Sequence, residues 1–139
     1  MSIKCEILPN FDEKIAKKNA KKILVNYRRI ARKVGFVTID CNSRKVIYHD
    51  REDVDFTREE NRELLGIRNA MIDALLMLCD KHLIILYYFY FSLNKLTYEK
   101  IARKTHYSKS SIEKFKALAM IEFAEAYQRE NLLIGECAE

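Results

Sequence analysis

Residues 108–116 read Ser-Lys-Ser-Ser-Ile-Glu-Lys-Phe-Lys. Hydroxyls, ammonium groups and one carboxylate surround two apolar side chains there. On a helix, Lys109, Ser110, Ser111, Glu113 and Lys114 fall off the face that carries Ile112 and Phe115. Hydroxyls both donate and accept, ammonium groups donate, and a carboxylate accepts from an amino group. Such a set can hydrogen-bond base edges or phosphates, and the amino-terminal turn of a helix in a major groove lies nearest the bases. Lys109, Ser110, Ser111, Glu113 and Lys114 are therefore the base-reading candidates. Lys100, Arg103, Lys104 and Lys116 are candidates for phosphate contacts, which anchor without reading sequence.

The elements that must hold these groups are legible on either side. Thr97 and Ser108 are N-cap candidates, since each hydroxyl can accept from backbone N–H groups left free in a first helical turn. Between them, Ile101 and Ala102 mark a short helix that closes at Thr105 and Tyr107. After Ser108, the residues Ile112, Phe115, Ala119 and Phe123 recur at the spacing of one buried face. Two ordinary amphipathic helices would show solvated polar faces too. Here both caps, the turn length and both apolar registers agree on a helix-turn-helix over 97–127. His106 stands in the turn where Gly is often found, and must accept an unusual backbone angle.

Towards the amino terminus, Pro9 marks a boundary and Lys14 to Val34 reads as one long helix. Ile15, Ala20, Ile23, Leu24, Tyr27, Ile30, Ala31 and Val34 form its apolar stripe. Asp12 and Glu13 suit its start, and Gly35 its end. Lys14, Lys17, Lys18, Lys21, Lys22, Arg28, Arg29, Arg32 and Lys33 lie on it with no acid among them. Like charges four apart oppose a helix unless a polyanion is near. Lys17, Lys18, Lys21, Lys22, Arg28, Arg29 and Arg32 thus join the phosphate candidates; a plain solvated basic face fits equally well. A membrane surface fits less well, because the apolar stripe lacks Trp and Phe and a folded core can use it.

Phe36 to Asp50 alternates around Asn42 and Ser43, which fits a small β-hairpin or an ordered loop. Residues 50–63 hold seven Asp or Glu against three Arg, as a linker or a screen for the basic helix. Leu64 to Leu78 reads as a helix, and Asp80 caps another over Leu83 to Ser92, where Tyr87 to Phe91 are consecutive aromatics suited to core packing. The last helix runs from Lys109 to about Arg129. Its surplus apolar residues Leu118, Met120, Ile121 and Tyr127 need a cover, either the amino-terminal helix or a second copy of the chain. The tail from Leu132 reads as acidic and frayed.

The expected class is mainly α: a helix-turn-helix domain over 64–139, preceded over 1–63 by the basic helix, the hairpin and the acidic connection. With 139 residues, three Gly and one Pro, a turn-rich all-β fold is disfavoured. The net charge of +5 suits a nucleic-acid partner without proving one. Cys5, Cys41, Cys79 and Cys137 form no CxxC pair, and no second pair near Cys79 and His82 in sequence completes a metal site. Free thiols, no metal and no cofactor are expected. No Gly-rich phosphate loop, HExxH or nucleophile elbow occurs, so no catalytic residue is assigned and a non-enzyme is expected. Residues 1–10 lack the apolar segment of a signal peptide, and Leu83 to Phe91 falls short of the ~20 residues of a membrane helix. A cytoplasmic protein without a membrane partner is expected.

Two resemblances sharpen this. Leu83 to Met120 resembles the carboxy-terminal promoter-binding region of bacterial sigma factors, chiefly at Thr97-Tyr-Glu-Lys-Ile-Ala and Tyr107-Ser-Lys-Ser-Ser-Ile-Glu. Over nearly the whole chain the sequence is similar to ArpU-like regulators of bacteriophage late genes. The matching pieces are Lys17-Lys-Asn-Ala-Lys-Lys-Ile-Leu-Val-Asn-Tyr-Arg-Arg, Tyr98-Glu-Lys-Ile-Ala, Tyr107-Ser-Lys-Ser-Ser and Ala117-Leu-Ala-Met-Ile-Glu-Phe-Ala-Glu-Ala-Tyr. The resemblance implies a phage or prophage protein, in the cytoplasm of a Gram-positive host, that switches on late operons for packaging, morphogenesis and lysis. The expectation is a sequence-specific regulator of transcription, an activator, with duplex DNA, host RNA polymerase and a second copy of the chain as partners. Two rivals stand beside it: a DNA-packaging component such as a small terminase subunit, and a sigma-like protein–protein module.

Overall fold

The computed structural model describes residues 11–133. The loose start and Pro9, the end of the tail, and Cys5 and Cys137 lie outside the described residues. The described chain is mainly helical, with one two-stranded antiparallel hairpin.

Helix α1 spans Glu13–Leu24, and Asp12 caps it: its Oδ1 accepts from Lys14 N–H at 2.9 Å. Helix α2 spans Tyr27–Val34. The single helix expected from Lys14 to Val34 is thus divided. The amide of Asn26 donates to the Lys22 carbonyl at 3.0 Å, and Asn26 N–H turns to Ile23 O at 3.1 Å. An Asn side chain competing for helix carbonyls is a local reason for a break. The break has a packing consequence. The small face of α1, Ala16 and Ala20 with Leu24, lies against the last helix, whereas α2 packs on α3 and sets Tyr27 against Phe91, with ring centres 4.5 Å apart.

Gly35 ends α2 with φ of 120°, and a Cβ there would sit 2.0 Å from the His49 carbonyl. Only glycine permits both this angle and this approach. Strands β1, Val37–Asp40, and β2, Lys45–Tyr48, then pair with Val37 opposite Tyr48 and Asp40 opposite Lys45. The expected hairpin is therefore present. Arg44 closes its loop at φ of 63°. Its guanidinium reaches Leu76 O at 2.6 Å, Leu78 O at 2.7 Å and Asp80 Oδ1 at 2.8 Å. The hairpin tip thereby caps the carboxy-terminal end of the next helix, which answers how a lone hairpin is made stable.

Helix α3 spans Glu59–Leu76 and begins before the expected Leu64, with Glu59 and Glu60 matched to its amino-terminal dipole. Part of the acidic connection is thus helix. Asp50 pairs with Arg68, Asp53 with Arg51, Glu60 with Arg58 and Glu63 with Arg129. Helix α4, Asp80–Leu86, is preceded by Cys79 in the N-cap position; Asp80 is its first residue rather than its cap. The aromatic run Tyr87–Phe91 is wound as a π-helical turn, with Ser92 N–H on Tyr87 O at 2.8 Å. Phe89, Tyr90 and Phe91 are buried, so the run is core, as expected.

Helices α5, Tyr98–Thr105, and α6, Lys109–Ala126, complete the fold. Helix α6 ends before the expected Arg129. Its surplus apolar side is covered by α1: Met120 and Tyr127 are buried, and Leu118 alone of the four is exposed, at 44%. The tail does not fray at Leu132, which is fully buried while its carbonyl accepts from Asn19 Nδ2 at 3.0 Å. Side chains from both sides of residue 63 share one hydrophobic core.

Phe115 departs from the expected buried register. Ile112, Ala119 and Phe123 are fully buried, but Phe115 is only half-buried, against Tyr107 and below Lys81. Phe123→Ala should cost about 3–5 kcal/mol in chemical denaturation, and Phe115→Ala about half of that. Gly35→Ala should destabilise by more than about 1 kcal/mol, because both the angle and the close approach oppose it; an unchanged denaturation midpoint would refute the assignment.

Candidate nucleic-acid interface

Three residues, His106 to Ser108, separate α5 from α6. Thr97 and Ser108 both cap as expected: Thr97 Oγ1 accepts from Lys100 N–H and Ser108 Oγ from Ser111 N–H, each at 3.2 Å. His106 adopts the left-handed conformation, φ 63° and ψ 20°, and its N–H closes α5 on Ala102 O at 2.8 Å. Thr105 Oγ1 donates to Ile101 O and accepts from Tyr107 N–H, which fixes the turn from within. Ile101 and Ile112 are fully buried beneath it. The first turn of α6 therefore projects from a fixed base.

Of the five base-reading candidates, Lys109, Ser110, Glu113 and Lys114 are exposed. Ser111 is half-buried and its hydroxyl accepts from Ser108 Oγ at 3.0 Å, so it belongs to the cap. Lys109 and Glu113 are four apart, as are Ser110 and Lys114, which puts these residues on neighbouring tracks of one face. Lys109 Nζ lies 5.7 Å from the Tyr98 ring centre. On α5, Lys100, Arg103 and Lys104 are exposed, with Lys104 at 5.9 Å over Tyr88.

The remaining phosphate candidates divide. Arg29 and Arg32 are exposed on α2, and Lys18 and Lys21 are exposed on α1, with Lys17 and Lys22 half-buried there. Arg28 is turned inward. It donates to Ser92 O at 3.0 Å and Phe89 O at 3.2 Å, and its primary role is to satisfy carbonyls of the π-helical turn. Lys116 sits in an aromatic bowl, with Nζ 4.2 Å from the Phe89 centre and 5.6 and 5.7 Å from those of Tyr90 and Tyr98. Burial, then the charges of Lys21 and Lys95, lower its pKa, against a smaller opposing effect of Glu113. Lys21 on α1 and Lys95 before α5 thus each oppose the charge of Lys116 on α6, and sequence spacing alone gave no sign of Lys95 there. A lysine with a lowered pKa holds fewer protons folded than unfolded between its two pKa values. Its charge therefore opposes folding at neutral pH, and that opposition fades as pH rises toward the ordinary lysine value. A bound anion would relieve it.

The provisionally named autolysin regulatory protein ArpU of Enterococcus hirae is 30% identical over 133 residues, covering 92% of this chain and 97% of that protein. The chain belongs to the ArpU family. No family model matches the sequence, and no solved structure matches it. No described helix of this ArpU-family chain is long and apolar enough to cross a membrane.

The two caps offer a test of the mount itself. Thr97→Ala and Ser108→Ala should each cost about 1 kcal/mol of stability, the usual loss of an N-cap hydroxyl. Urea unfolding of each variant measures this, and two silent variants would show that the turn is held by its core alone.

Proposed function

We propose that this ArpU-family chain is a sequence-specific DNA-binding regulator of transcription. The observation that carries the reading is the exposed first turn of α6. Lys109, Ser110, Glu113 and Lys114 are exposed on a helix whose other side, Ile112, is fully buried against its capped partner α5. That is the build of a helix-turn-helix, in which the second helix enters the major groove. Lys100, Arg103 and Lys104 flank it as backbone anchors, and the Lys21–Lys95–Lys116 group supplies charge that a phosphate would neutralise. The name of the Enterococcus relative speaks of regulation, which agrees with this reading. In its biological setting we read the protein as an activator of prophage late genes that positions the host RNA polymerase at a promoter.

Base reading and phosphate anchoring separate experimentally. Lys114→Ala should cost about 1–3 kcal/mol on the cognate duplex and little on scrambled DNA. Lys104→Ala should weaken both about equally and reduce the salt slope by roughly one. For the unaltered protein, affinity should fall by orders of magnitude between about 50 and 200 mM salt if about five or more phosphates are engaged. Titrations of both variants on both duplexes, at several salt concentrations, decide the matter. Equal loss on both duplexes for Lys114→Ala would remove α6 from sequence reading, and a flat salt response would remove the electrostatic basis of the proposal.

A further inference from the structure

Sequence spacing offers Cys79 and His82 no further ligand; the fold places one beside them. Helix α6 brings Glu122 against them, and one ligand atom each of Cys79, His82 and Glu122 lie within 4.8 Å of one another. His82 Nδ1 and Glu122 Oε1 are 2.5 Å apart. Cys79 and His82 are spaced as Cys-x-x-His across the start of α4, so both side chains fall on the side of that turn which faces α6. Cys79 is a free, exposed thiol, whereas His82 and Glu122 are partly buried.

We propose that Cys79, His82 and Glu122 form a binding site for a borderline divalent metal ion of the zinc class. The donor set decides the class. A thiolate and an imidazole favour zinc or cobalt(II) over magnesium or calcium, which take oxygen ligands, and a carboxylate completes the set. Three protein ligands leave a fourth tetrahedral position to water. Zinc bonds of about 2.0–2.3 Å place tetrahedral ligand atoms about 3.5 Å apart. The cluster reaches that by moving the Glu122 oxygen slightly away from His82 and rotating the exposed Cys79 side chain inward. On uptake the Cys79 thiol loses its proton to solvent and its sulfur bonds the ion. The ion takes the place of the hydrogen bond now joining His82 and Glu122, and the proton of that bond passes to solvent or to His82 Nε2, leaving Nδ1 free to bind. Its effect on the fold is a cross-link between α4 and the carboxy-terminal half of α6, on the opposite end of that helix from the Lys109–Lys114 turn. The site is independent of DNA binding.

The test uses the full chain, reduced and stripped with a chelator. Alkylation of each cysteine is followed by peptide mass spectrometry with and without Zn²⁺. The Cys79 rate should fall by about tenfold or more at saturating Zn²⁺, since a zinc-held thiolate no longer attacks. His82→Gln and Glu122→Gln should each restore most of the rate. Co²⁺ should give a thiolate charge-transfer band and the intense visible bands of four-coordinate cobalt. These should vanish in Cys79→Ser and persist when Cys5 and Cys137 are both replaced by Ser. Zn²⁺ should raise the melting temperature of the parent and not of Cys79→Ser. Unprotected Cys79, protection that ignores His82 and Glu122, or a cobalt spectrum unchanged in Cys79→Ser would each overturn the site and leave His82–Glu122 as a structural hydrogen bond.

Discussion

A fully buried guanidinium must find neutral ground, and the placement of Arg68 organises half of this molecule. Its side chain is completely shielded from solvent inside α3. It donates to the Gly35 carbonyl at 3.0 Å and to Asn69 Oδ1, and pairs with Asp50 at 2.6 Å. The Tyr48 ring stacks at 5.3 Å. These partners come from the end of α2, the end of β2 and α3 itself. An isolated buried charge would cost several kcal/mol, so the hairpin and the corner at Gly35 cannot drift from α3 without exposing that cost. The left-handed glycine, the tight approach of His49 and the acid at position 50 are parts of one solution.

The other half is organised by apolar contact between α1 and α6. Small residues on α1 let the two helices approach, and Asn19 ties the chain after α6 to α1 through Leu132. The basic residues of α1 are consequently brought beside α6, where Lys21 acts on Lys116. The surface proposed to meet DNA is thus assembled from both ends of the chain, although its central turn is local in sequence.

That distinction explains what could be read in advance. The caps Thr97 and Ser108, the buried Ile112, Ala119 and Phe123 of α6, the left-handed His106 and the hairpin are local signals, each written within a few residues, and the structure has them. The division of the first helix depended on one Asn side chain returning to a carbonyl, which periodicity does not register. Arg28 read as a surface cation because spacing reports the face of a helix and not the carbonyls awaiting it across the core. Phe115 falls short of the burial its spacing suggests, since burial is decided by what packs opposite. Glu122 meeting Cys79 and His82 is a contact some forty residues distant, and no spacing rule reaches it.

The π-helical turn at Tyr87–Phe91 has an evolutionary consequence. A π turn accommodates one residue more than the regular helix around it, so it behaves as an insertion held within a helix. The last carbonyls of a helix lack donors of their own, and Arg28 supplies them at Phe89 and Ser92, 61 and 64 residues downstream. A relative one residue shorter in this stretch would wind it as ordinary α-helix, and would present different aromatic rings to Lys116 and different carbonyls to a guanidinium at position 28. Length at one place is therefore tied to chemistry at another.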